Sequence, residues 1–578
     1  MTPLAPAAPI SAAVARLHGA WQVLPCLVLL AVALAPLATA RAQAIDRPAD
    51  QPLALPPIGE PPESQILLPQ LPPSEPEREP LTAEPGVFVS DFRITGSTVF
   101  TQDELDQAVA PWKNRAIRSE DLISVRNALT RLYVEHGYVN SGAVIPDQEI
   151  ENQVVEIRII EGWLEEIRIS GNDQFRARYL RDRIRRAAAV PLDVRKLERR
   201  IRILQQDPRI RQVTARLAPG ETLGEAILYL DVKEDRRFHA AVRFSNYEPA
   251  SIGGLAGQVE GAVASPTGWG DTLRTEFTIG KGLKRYRGLY EIPVSRFDTL
   301  LSFEGRYADA EVTESPFDEI GVASQFQSYQ VGLRQPVYKS PRTLVEAGVI
   351  GDWRRTRTEL GGTTFSFPGS GAKDGEATAA VLRFLVEWLL RDQHQVFAAR
   401  SQVSWGIDAL GATINGGDEP DARFVAWLLQ LQWVRRFGEI GIETIFRTDL
   451  QLANAPLLTM EQMAVGGYAT VRGYRQNQYV QDQGVVSSVE VRVPIWQNPE
   501  RGGVIQLAPF VDFGHTWDHG DRPGNRNETL ASVGIGLRWT LTRFLNARIY
   551  WGQNLTSTPT SGNLQDQGVQ FLISGSIP

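Results

Sequence analysis

Thiols are nearly absent from this chain of 578 residues, whose one cysteine is Cys26. Cys26 lies in an N-terminal apolar run, and a chain trimmed behind that run has no disulfide, zinc–cysteine site or cysteine nucleophile. Charge of one sign is also scarce. The net charge of -7 suggests no polyanionic partner, so no nucleic acid is expected. Long apolar runs are missing as well. Beyond residue 44 there is no uninterrupted stretch long enough for a transmembrane helix, and the best candidate, Ala377 to Leu390, is broken by Arg383 and Glu387. A mean hydropathy of -0.20 agrees with that. The sequence also holds no G-x-S-x-G, no Walker loop and no H-E-x-x-H. No enzymatic activity, nucleotide, cofactor or metal is therefore expected. His515 and His519, near Asp518 and Asp521, would suit a metal on a helix, but they run from a strand into a loop.

What is present begins with an export signal. Arg16 and His18 precede an apolar core from Val23 to Leu37, and Ala38-Thr39-Ala40 offers a small-x-small cleavage site, with Ala42-Gln43-Ala44 as second choice. A membrane anchor is the competing reading, but the core is short and contains Pro25 and Pro36. Residues 1–40 are thus expected to be a signal peptide. From Ile45 to Gly86 there are twelve prolines, which makes 41–86 an extended linker.

Residues 87–162 have the pattern strand, helix, helix, strand, strand. Val87–Ile94 reads as a strand ending at Gly96-Ser97, and Thr101 with Glu104 forms a capping box. Leu122, Val125, Leu129 and Leu132 share one face of a second helix, which stops at His136-Gly137-Tyr138. Residues 163–235 repeat the order, an internal repeat of small α+β units. The helices of the second unit are rich in arginine, including Arg183, Arg186, Arg199 and Arg200. A solvated face is one reading of them; the others are a nucleic-acid surface or one facing lipid headgroups, a barrel or a passing polypeptide.

From residue 236 to 578 the apolar period is two. Phe238, Ala240, Val242 and Phe244 alternate with His239, Ala241 and Arg243. Leu382, Phe384, Val386, Trp388 and Leu390 share one parity while Arg383 and Glu387 share the other. Segments of about ten residues, apolar on one face and polar on the other, mark a transmembrane antiparallel β-barrel with a wet lumen. A soluble sandwich or propeller also alternates, but so long a run behind a signal favours the barrel. At roughly twenty residues per strand plus connection, about 16 strands fit. Trp388, Trp427, Trp433, Trp539 and Trp551 near segment ends suit aromatic girdles.

Two short motifs carry the site. Val471-Arg472-Gly473-Tyr474 reads as a loop tip, and Phe510-Val511-Asp512-Phe513-Gly514 as a strand. Arg472 and Asp512 can meet inside a closed wall, because an inward guanidinium is costly unless a carboxylate takes its donors. Gly473 would allow a turn that a side chain resists, and Gly514 would leave room for the loop. By itself the tetrapeptide is equally an ordinary turn.

The units resemble POTRA domains, the first through Gly96-Ser97-Thr98-Val99-Phe100, His136-Gly137-Tyr138-Val139 and Ile145-Pro146-Asp147-Gln148. The stretch Met463 to Tyr474 resembles the sixth-loop segment of two-partner secretion outer-membrane transporters, the haemolysin and filamentous-haemagglutinin secretion-activation family. Asp482, Gly484, Glu490 and Pro494 fit the family's pattern downstream of that loop, and Phe510–Gly514 fits the family's next strand motif. The resemblance implies that the loop folds back into the lumen, with Arg472 on Asp512 and Tyr474 beside them. It implies a pore in the outer membrane, POTRA domains in the periplasm, and a large, β-helical exoprotein as partner, with outer-membrane lipid around the barrel. A plug helix common in the family finds no clear place in the proline-rich stretch. The alternatives are a barrel-assembly factor or, in another class, a passive porin or outer-membrane enzyme.

Overall fold

The computed structural model describes residues 45–51, 53, 55, 56, 58, 65–67 and 86–577, apart from 316, 499–502, 521–524, 543 and 559–561. The expected signal peptide and cleavage sites lie outside the described residues, as does most of 41–86.

The first small unit holds helices α1 (Gln102–Val109) and α2 (Ser119–Glu135). Strand Asp91–Thr95 runs parallel to Val154–Ile160, which pairs antiparallel with Gly142–Val144. Thr101 caps α1: its hydroxyl accepts from the Glu104 N–H, and the Glu104 carboxylate accepts from the Thr101 N–H at 2.8 Å. The long N-terminal strand expected here is two strands. Val87–Val89 leaves the sheet to pair with Arg115–Ile117, a three-residue strand too short to show a period. The face of α2 that buries Val125, Leu129 and Tyr133 covers Phe92, Ile94, Val155 and Ile157.

The second unit repeats the plan with α3 (Ala177–Ile184) and α4 (Val194–Gln205). Trp163–Ser170 runs parallel to Glu225–Glu234, and Ile210–Pro219 antiparallel to it. The repeat extends to single atoms. Gly96 and Gly171 end equivalent strands with φ of +88° and +73°, and a Cβ at either would lie 2.4 Å from the carbonyl oxygen of Ile159 or Val232. Only glycine fits both demands.

Among the described residues, sixteen antiparallel strands then close a barrel. They are β1 (Phe238–Ser245), β2 (Ala256–Ala264), β3 (Thr272–Gly280), β4 (Leu283–Pro293), β5 (Leu300–Glu311), β6 (Val322–Lys339), β7 (Thr343–Leu360) and β8 (Glu376–Arg391). β9 (Gln395–Ile407), β10 (Val425–Phe437), β11 (Ile442–Ala453), β12 (Gln483–Asn498), β13 (Gly503–Trp517), β14 (Asn527–Thr542), β15 (Leu545–Asn554) and β16 (Val569–Ile577) complete it. Pairing of Ala240 with Ile577 through Ser245 with Leu572 seals β1 to β16 and leaves no free edge. The period-two pattern sets the faces. On β8, Phe384, Val386 and Trp388 are 47%, 50% and 44% exposed, whereas Arg383 and Leu385 on the other parity are 3% and 4% exposed. The apolar parity faces outward and the polar parity faces the lumen.

The stretch read only as a linker divides in two. Gln65–Leu67 adds in parallel to strand Ile210–Pro219. Residues 45–51 lie inside the barrel, with a single helical turn at Pro48–Asp50. Asp46 pairs with Arg306 at 3.0 Å, and the Gln51 carbonyl accepts from Arg400 and Gln430. Proline density reports an extended backbone and not its location. It is the charges of Asp46 and Arg47 that suit a polar lumen.

Candidate functional site

Loop 454–482 leaves β11 on the side opposite the two small units and turns back into the lumen. Its stem is a short hairpin in which Met463–Val465 pairs with Tyr479–Gln481. The base is pinned by Asp482, whose carboxylate accepts from the Leu457 N–H, the Gln462 amide and the His519 N–H.

At the tip, Arg472 is 5% exposed and every nitrogen of its guanidinium is used. Nε and Nη2 donate to the two oxygens of Asp512, each at 2.8 Å, and the Arg472 backbone N–H adds a third bond at 2.9 Å. Nη1 donates to Glu490, and Nη2 reaches Ser488 Oγ at 3.1 Å. Strand register prepares this cradle: Ser488 stands opposite Asp512 and Glu490 opposite Phe510, all on the inward parity of β12 and β13. The guanidinium carbon lies 3.7 Å from the centre of the Phe510 ring, with Tyr550 at 5.0 Å. A planar, delocalised cation suits that combination of fork and stack better than an ammonium.

Gly473 has φ +93°, and a Cβ there would lie 2.8 Å from Asn554 Oδ1 and 2.9 Å from the Gly552 oxygen. A Cβ on Gly514 would meet the methyls of Val465 and Val471 at 2.5 and 2.8 Å, so the wall is pared back where the loop packs. Val471 is fully buried. Tyr474 does not flank the guanidinium. Its hydroxyl donates to the Ala531 carbonyl at 2.7 Å and accepts from the Thr556 N–H at 3.0 Å.

Two further ionic clusters hold the loop, and sequence reading missed both. At the base, Arg383 on β8 makes paired contacts with loop residue Glu461 at 2.8 and 2.9 Å. It also donates to Asp352 on β7 at 2.9 Å and to Ser404. Arg354 donates to Asp352 at 2.6 Å, to the Met460 carbonyl and to the Asp46 carbonyl. This cluster joins wall, loop and the 45–51 segment. Beyond the tip, Arg475 pairs with Glu314 at 2.9 Å, in the β5–β6 loop, and with Asp566 at 2.5 Å, in the β15–β16 loop. The one signal for the base cluster was Arg383 itself, an arginine of polar parity inside an apolar run.

Among the described residues no group of three or more His, Cys, Asp or Glu side chains is placed to hold a metal ion. His515 bonds Thr529 and stacks on Trp517.

The profile of the family described as "Haemolysin secretion/activation protein ShlB/FhaC/HecB" matches residues 224–539, and that of the ShlB-type POTRA domain matches 87–162. The chain belongs to the haemolysin secretion/activation family. It joins a ShlB-type POTRA domain, followed by a second unit of the same plan, to a closed barrel. It is 23% identical over 450 residues to an outer membrane transporter, CdiB, of Dickeya dadantii, covering 75% of this chain and 77% of that one. It is also 23% identical over 497 residues to a hemolysin transporter protein, HpmB, of Proteus mirabilis, covering 83% and 84%. The fold is similar to that of CdiB from Escherichia coli, with a TM-score of 0.65 at 20% identity over 87% of this chain and 93% of that one.

Proposed function

We propose that this member of the family is an outer-membrane pore that exports a large partner protein, with loop 454–482 as the element that moves to let the partner through. The two POTRA units stand in the periplasm and receive the unfolded partner, and strand addition to a sheet edge is a physical means of doing so. The barrel sits in outer-membrane lipid, which its exposed apolar parity matches. The partner is a β-helical protein whose folding outside supplies the driving force, since no nucleotide motif is present.

One observation carries this reading. The loop is fixed to the wall at separated points, through ionic clusters and through a small apolar cluster of Met463, Val465 and Val471 with Leu428, Val486 and Leu530, and the wall is a continuous sheet without it. The barrel therefore does not need the loop to stay closed, and the ionic part of its attachment can re-form with water or with another chain. A passive porin would not need such a loop.

Co-expression with the neighbouring large exported protein tests the reading. The partner is expected in the medium only when this chain is present. If it is secreted regardless, or if other barrels disappear from the membrane instead, the chain is a barrel-assembly factor.

A further inference from the structure

Beneath the barrel, α3 and α4 of the second unit face the periplasmic turns and enclose a cavity of about 350 Å³. Several links fix this arrangement. Arg183 pairs with Asp298 in the β4–β5 turn at 2.7 Å, and Gln206 donates to the Pro341 carbonyl in the β6–β7 turn at 2.8 Å. The barrel residues that line the cavity, Leu344 and Glu346 on β7 and Leu389 and Arg391 on β8, share the parity of the lumen residues Asp352 and Arg383. The cavity therefore opens toward the pore and not toward lipid.

Its charge is unbalanced. Seven basic side chains line it against three acidic ones. Asp298 is taken by Arg183 and by Lys339 at 2.9 Å, and Asp207 is taken by Arg209. Among the described residues Arg186 has only the Arg296 carbonyl, at 3.3 Å, and the face of Phe297. Arg391 donates to the Pro341 carbonyl. Arg200 makes no hydrogen bond or ion pair among the described residues, yet it is half-buried. Burial, and for Arg186 the nearby charge of Arg200, push both guanidiniums below their ordinary range. The carboxylate that acts on both, Asp298, is already paired with Arg183 and Lys339, which leaves these half-buried cations able to take a further anion. Leucines and prolines between them offer apolar contact, so the surface suits a mixed chain better than a bare ion.

We infer that this vestibule is an entry subsite that takes a carboxylate-bearing, partly apolar stretch of the exported polypeptide before it reaches the loop, an inference that rests on the export reading. Carboxylates would pair with Arg186 and Arg200, and neighbouring apolar side chains would lie on Leu344 and Leu389.

The test uses the purified full-length protein in detergent, a labelled peptide of alternating Glu and Leu, and its Lys–Leu counterpart, with binding to empty micelles subtracted. The Glu–Leu peptide is expected to bind and the Lys–Leu peptide not. Arg200→Glu, and Arg186→Glu with it, should each weaken binding about tenfold or more, the scale of one lost charged contact. Neither residue has a carboxylate partner to lose. Retention of the heat-resistant compact form on gels checks that the barrel is intact, and Arg200→Ser serves as a milder variant. Equal binding of both peptides, or unchanged binding to the reversed variants, would overturn the inference. Displacement by inorganic phosphate or short-chain phosphatidylglycerol would also overturn it and assign the cavity to a headgroup or ion. The two readings fail separately. If deleting the whole chain leaves the partner secreted, export fails. If deletion stops secretion but Arg186→Glu/Arg200→Glu secretes normally, only the vestibule falls.

Discussion

Two of the ionic clusters on the lumen loop are built in opposite senses. At the tip the loop brings the cation, Arg472, and the wall brings Asp512 and Glu490. At the base the wall brings Arg354 and Arg383, and the loop brings only Glu461. The consequences of losing a partner differ accordingly. Without Arg472, Glu490 keeps Arg492 at 2.6 Å and Asp512 keeps Ser488, so the wall stays partly satisfied. Without Arg383, Asp352 keeps Arg354, Ser328 and Gln330, but Glu461 on the loop keeps only Arg354 at 3.4 Å among the described residues. On the proposed export mechanism, the base serves as a structural joint and the tip as the contact that is undone.

The largest effect expected is at that joint. Arg383→Leu should destabilise the purified barrel by about 3–5 kcal/mol in urea unfolding, the cost of removing one partner from a buried ion pair. A loss near zero would erase the distinction between base and tip. Arg472→Ala should cost less stability, about 1–3 kcal/mol, while strongly lowering export of the partner. Arg472→Lys should rescue little, since an ammonium cannot span Asp512 and Glu490 together. Normal export by either variant would count against a lock at the tip. Arg475→Gln should have a milder effect of about 1 kcal/mol, because its partner Glu314 is partly exposed. It should show as faster proteolysis of the β15–β16 loop from outside. Smallest, and outside the barrel, Thr101→Ala should lower the stability of the first unit by about 1 kcal/mol through its lost cap, with export unchanged.

The two clusters also differ in how far the sequence discloses them. Arg472 and Asp512 sit in short motifs that resemble a known family, and period two tells which way Asp512 points. Arg383 is visible as the charged parity of an apolar run. Its partners are not, because Asp352 and Glu461 reach it only through a strand register, Ile350 opposite Arg383, and through the fold of a long loop. Neither leaves a local trace. Tyr474 was expected beside the arginine, but the neighbouring rings are Phe510 and Tyr550, and Tyr550 is brought there by the registers that join β13, β14 and β15. The position of 45–51 was hidden for a similar reason. A run of prolines gives the backbone's stiffness, whereas the complement of Asp46 is Arg306, far along the chain.

The most direct test of the movable loop is a covalent staple. Val471→Cys with Gly514→Cys, and Val465→Ala to clear the methyl that a Cβ on residue 514 would meet at 2.5 Å, places two thiols where that Cβ lies 2.8 Å from a Val471 methyl, in a chain whose only other cysteine is Cys26. With the bond formed in the oxidising periplasm, the partner should stay inside the cell, and added reductant should restore its appearance in the medium. Undiminished secretion with the bond shown to be formed would contradict the account.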